Sequence, residues 1–202
     1  LAYIEEHFAE GEYIINLYSD HGNSIFTPPR EDGGVDVMSE YGTGAAWMMR
    51  GAGIPQGVVS KELTSIVDIY PTLGRLCGFP AAPNIDGNLP AVFGGRARDA
   101  VYSMSMFPGQ TYKLAVRNAA HVFRLETEDP VDEDGSVDFA KAKMGIYTRT
   151  HDWVSAYETD SEDLRAFFYP RARDFIRTIA NNGEFWPSMR ATRRGSADAQ
   201  HP

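Results

Sequence analysis

Glu12-Tyr13-Ile14-Ile15-Asn16-Leu17-Tyr18-Ser19-Asp20-His21-Gly22 decides how the chain is read. Tyr13 to Tyr18 is a short run of β-branched, aromatic and aliphatic residues, the composition of a strand buried on both faces. Such strands belong to parallel sheets covered by helices. The run stops at Ser-Asp-His-Gly. In open α/β sheets, ligands sit beyond the carboxyl ends of the strands. Asp20 and His21 fall at that place, and Gly22 lets the backbone turn sharply after them. A carboxylate beside an imidazole offers one oxygen and one nitrogen to a divalent metal. The same residue types also cap helices and fill turns, so the tripeptide acquires meaning only from what surrounds it.

Upstream, Leu1, Ile4 and Phe8 lie at helical spacing with Glu5, Glu6 and Glu10 between them, which predicts a helix ended by Gly11 that feeds the strand. Downstream, residues 23–41 hold Pro28, Pro29, Gly33 and Gly34 and read as a loop over the site. Gly44 to Met49 reads as a second buried strand, with Trp47, Met48 and Met49 as core residues. It is followed by a turn shaped by Gly51, Gly53, Pro55 and Gly57. Asp68 stands where a helix N-cap belongs, Pro71 falls in the first turn, and Gly78 ends the helix. Ile69, Leu73, Leu76 and Cys77 line its predicted apolar face. Residues 81–98 are rich in Pro, Gly and Asn and read as a long surface connection.

Taken together, Tyr18-Ser19-Asp20-His21-Gly22, Arg50-Gly51-Ala52-Gly53-Ile54-Pro55 and Val67-Asp68-Ile69-Tyr70-Pro71-Thr72-Leu73, followed by Cys77-Gly78, Asp86-Gly87 and Gly94-Gly95, resemble in order and spacing the sulfatase family of the alkaline-phosphatase superfamily. The likeness spans roughly residues 1–96. It implies part of an α/β catalytic domain over residues 1–98, built on an alkaline-phosphatase-like parallel or mixed sheet with flanking helices. A small C-terminal α+β subdomain over 99–190 then packs an antiparallel sheet with a helix. It also implies a metal-dependent hydrolase of small sulfate esters, with Asp20 and His21 in the metal shell. Family precedent favours Ca²⁺, whereas imidazole ligation leans towards Mn²⁺ or Zn²⁺.

The family's nucleophile is a cysteine or serine, oxidised to formylglycine, within Cys/Ser-x-Pro-x-Arg. No such motif occurs. Cys77 is followed by Gly-Phe-Pro-Ala, and Thr27-Pro28-Pro29-Arg30 lacks the Cys or Ser and sets its arginine one place early. No catalytic nucleophile is therefore assigned, Cys77 is expected to pack in the core, and the chain is expected to be the C-terminal portion of a longer enzyme. The formylglycine and the remaining metal carboxylates would lie in the other half, leaving this portion inactive alone and open to self-association through an exposed sheet edge. The family also places a lysine in the loop before Glu40, where this chain has Val35. Three explanations stand open: Arg30 binds the substrate anion in its place, the other half supplies the charge, or activity is weak. Phosphodiesterases, phosphonate hydrolases and phosphoglycerol transferases share the Asp-His-Gly strand end and form the alternative, beside a degenerate, non-catalytic module.

Val101–Phe107, Tyr112–Arg117 and His121–Glu126 are spaced as antiparallel strands, the last two joined by Asn118-Ala119-Ala120. Asp163–Ala180 is amphipathic, with Pro170 expected to kink it. Asp132-Glu133-Asp134-Gly135 lacks calcium-loop spacing and reads as solvated, and residues 191–202 read as a disordered tail. At 202 residues, 43% hydrophobic and 23% charged, the composition is that of a globular protein. The net charge of −9 argues against nucleic acid, and no apolar run has the length of a membrane span. One cysteine precludes an internal disulfide. The compartment is not legible.

Overall fold

A computed structural model describes residues 1–23, 37–80, 82–105, 111–130, 140–149 and 157–181. Arg30, Val35, the acidic stretch Asp132–Gly135, His151 and residues 191–202 lie outside the described residues. The chain divides into two compact units that interleave in sequence. The first takes Leu1–Ser103, Arg117–Val122 and Tyr147–Tyr157; the second takes Met104–Val116, Phe123–Ile146 and Glu158–Pro202. The fold is mixed α/β, and both of its sheets are antiparallel.

In the first unit, helix α1 (Ala2–His7) and a single 3₁₀ turn at Glu10–Glu12 lead into strand β1 (Ile14–Tyr18). A short helix α2 (Glu40–Thr43) precedes strand β2 (Trp47–Gly51). β1 and β2 pair antiparallel, with Ile14 opposite Gly51 and Tyr18 opposite Trp47. This corrects the expectation of a parallel strand with both faces covered. Leu17 is 57% exposed and Met48 57%, and Tyr18 is also exposed. The apolar run makes a strand, but its composition says nothing about the direction of the neighbour. Asn16 faces β2 and its side-chain oxygen accepts from the Trp47 indole N–H at 2.8 Å. Gly51 has φ +120°, and a Cβ there would overlap the Tyr13 carbonyl. Leu1 and Phe8, on the apolar side of the predicted first helix, are both exposed.

Helix α3 (Ile69–Cys77) ends at Gly78, which takes the left-handed conformation that lets the chain leave. Cys77 is exposed, one residue past the apolar stripe rather than within it. Asp68 does not cap α3 with its side chain. Its buried carboxylate instead accepts from Ser65 N–H at 2.8 Å and Asn88 N–H at 2.7 Å, and from both Nε and Nη2 of Arg98. That ion pair ties the 3₁₀ turn Ile66–Asp68 to the segment beyond α3. Glu62 adds a second tie, accepting from Ala91 N–H and Val92 N–H. The Pro- and Gly-rich stretch is therefore pinned at both ends of its second half.

The five-stranded sheet runs β3 (Val101–Ser105), β4 (Thr111–Arg117), β5 (His121–Pro130), β6 (Lys143–Thr148), β7 (Tyr157–Glu158), in that spatial order. Asn118 makes the β4–β5 turn, its side-chain oxygen accepting from Ala120 and His121 N–H. Most of the buried apolar residues belong to the second unit. They include Leu114, Val116, Phe123, Leu125 and Ile146 of the sheet and Phe168, Ala172 and Ile176 of helix α4 (Glu162–Asn181). Phe123 stacks on Phe168 at 6.3 Å and tilts against Tyr169 at 5.4 Å. The helix runs through Pro170, so burial of residues on both sides of it outweighs the missing N–H. Arg171 stacks over Phe167 at 3.8 Å and donates to its carbonyl.

Candidate metal-ligating turn after β1

The turn after β1 is held from both sides by backbone. Ser19 N–H donates to Ala46 O at 3.0 Å, and Ala46 N–H returns to Ser19 Oγ at 2.9 Å. Gly22 N–H donates to Gly42 O of α2 at 3.1 Å. Gly22 lies so close to α2 that a Cβ would overlap the carbonyl oxygens of Tyr41 and Gly44. Glycine is required by proximity.

Asp20 and His21 project from this turn into solvent, with side chains 82% and 71% exposed. Asp20 Oδ1 accepts from His21 N–H at 3.0 Å. His21 Nδ1 lies 2.5 Å from Gly22 O. A carbonyl can only accept, so Nδ1 is the donor in this contact. Nε2 faces Asp20 Oδ2 at 3.5 Å.

The 3.5 Å between Nε2 and Oδ2 is the spacing of an ion pair and equally that of two ligands of one metal. Two ligands at ~2.1 Å from one metal at a tetrahedral angle stand about 3.4 Å apart. A ligating histidine whose other nitrogen is tied to a carbonyl is the usual device for fixing ring and tautomer. The donor set is nevertheless short: Ca²⁺ takes about six to eight oxygens. Among the described residues no group of three or more His, Cys, Asp and Glu could hold a metal ion. Asp68 is not a further ligand, because four hydrogen-bond donors already occupy its carboxylate. Arg30, one of the three open explanations for the missing lysine, falls outside the described residues.

Behind the turn lies a cluster that sequence reasoning did not single out. Ser39 caps α2, its Oγ accepting from Gly42 N–H at 3.0 Å. Glu40, the first residue of α2, is gripped by two arginines. Arg117 Nε donates to Oε1 at 2.9 Å, and Arg149 Nη2 donates to Oε2 at 3.1 Å. Arg117 is itself buried and also donates to Met38 O and Ser103 Oγ. Arg149 donates to Asn118 O as well. The partners lie 77 and 109 residues from Glu40, so no local pattern could reveal them.

No protein-family model matches the chain, and no curated protein matches it. No helix among the described residues is long and apolar enough to cross a membrane.

Proposed function

We propose that Asp20 and His21 contribute to the divalent-metal shell of a sulfatase-like hydrolase of small sulfate esters. One observation carries the reading: His21 Nε2 and Asp20 Oδ2 stand 3.5 Å apart in the exposed turn after β1 while Nδ1 contacts Gly22 O. The order of motif residues along the chain supports it, and the glycines of two of those motifs, Gly22 and Gly51, sit where a side chain would clash with backbone. The alkaline-phosphatase-like parallel or mixed sheet of which β1 would be one strand belongs to this proposal, as does a first domain ending near residue 98.

In this reading Gly22 O holds the imidazole in the ligating tautomer and Asp20 supplies negative charge beside it. A bound cation polarises the ester oxygens and stabilises the charge that develops on them. Further carboxylates and the formylglycine nucleophile come from residues beyond these 202, and Arg30 is the candidate donor to the substrate anion. Ca²⁺ is the favoured ion, with Mn²⁺ or Zn²⁺ as alternatives. With two ligands the ion keeps most of its water, so the 202 residues alone bind Ca²⁺ at about millimolar concentration.

The test uses the longest polypeptide that contains this chain, assayed on paired aryl sulfate and aryl phosphate esters. Loss of several kcal/mol of charge stabilisation corresponds to roughly 10²–10³ in kcat/KM. Asp20→Ala should therefore abolish most sulfate hydrolysis while leaving the melting temperature unchanged, since Asp20 is exposed. His21→Asn should be milder, as an amide oxygen can still ligate. Full activity in Asp20→Ala would sink the proposal, and a preference for phosphate diesters would move it to the phosphodiesterase branch.

A further inference from the structure

We draw no further inference here: the strongest candidate, the exposed apolar face of the β1–β2 ribbon on which Leu17 stands opposite Met48, carries none because nothing in the structure shows what covers it.

Discussion

Asp68→Ala should be among the most costly single changes in the first unit. The substitution removes a carboxylate that accepts four hydrogen bonds, two from Arg98 and one each from Ser65 and Asn88 N–H. Breaking one side of a buried ion pair costs about 3–5 kcal/mol. The Arg98 side chain is 14% exposed, so water reaches part of the orphaned guanidinium and the lower end, ~3 kcal/mol, applies. For a chain of this size 1 kcal/mol corresponds to roughly 2–4 °C, giving a fall of about 6–12 °C in the transition that melts the first unit. Arg98→Ala should cost a similar amount, because the carboxylate is then left with two backbone donors alone. The double variant should fall well short of the sum, since most of each loss is the same interaction. Urea unfolding followed by hydrogen exchange would read peptides from residues 60–100 separately from those of 111–127. A loss near 1 kcal/mol for Asp68→Ala with Arg98→Ala neutral would refute the reasoning and restore a simple helix cap, whose worth is about that size.

Burial pushes the Tyr112 phenol up to about 12, so the folded state holds the neutral form after the unfolded chain has ionised. Its contribution is complete below pH 10 and declines between pH 10 and 12, with a slope approaching ~1.4 kcal/mol per pH unit; Tyr112→Phe should flatten that part of a stability–pH curve. Phe168→Ala, at a fully buried position, should cost about 3–5 kcal/mol, and a loss below ~1.5 kcal/mol by urea titration would show that the α4 face is not packed as described. Gly22→Ala should destabilise the first unit by about 1–3 kcal/mol and shift the His21 ring signals in NMR spectra; an unperturbed ring would mean that α2 does not support the turn.

Local patterns carried the reading where the cause is local. The run ending at Tyr18, the glycine after His21 and the left-handed exit at Gly78 were legible because each reports on its own few residues. So was the β4–β5 turn, where Asn118 does the work itself. Pairing direction was not legible, because the apolar composition of Ile14–Tyr18 specifies what the strand should bury and not which way its neighbour runs. β6 escaped notice because Gly145 interrupts it and Ile146 is its one buried residue. Asp68 passed for a cap because a carboxylate at a helix start is a sufficient local story, and Arg98 lies thirty residues on. The Glu40 triad was hidden for the same reason at greater range. Periodicity placed Cys77 in the core by counting one step too far along the face of α3.

The long reach of that triad bears on how the protein is made. A ribosome adds about 5–20 residues per second, and 109 residues separate Glu40 from Arg149. Roughly 5–20 s of synthesis therefore pass between the emergence of α2 and the arrival of its second arginine. During that interval the Asp20–His21 turn is on the nascent chain without its complete support, beside a β1–β2 ribbon whose Leu17 and Met48 face water. The turn thus emerges well before the contacts around α2 are complete.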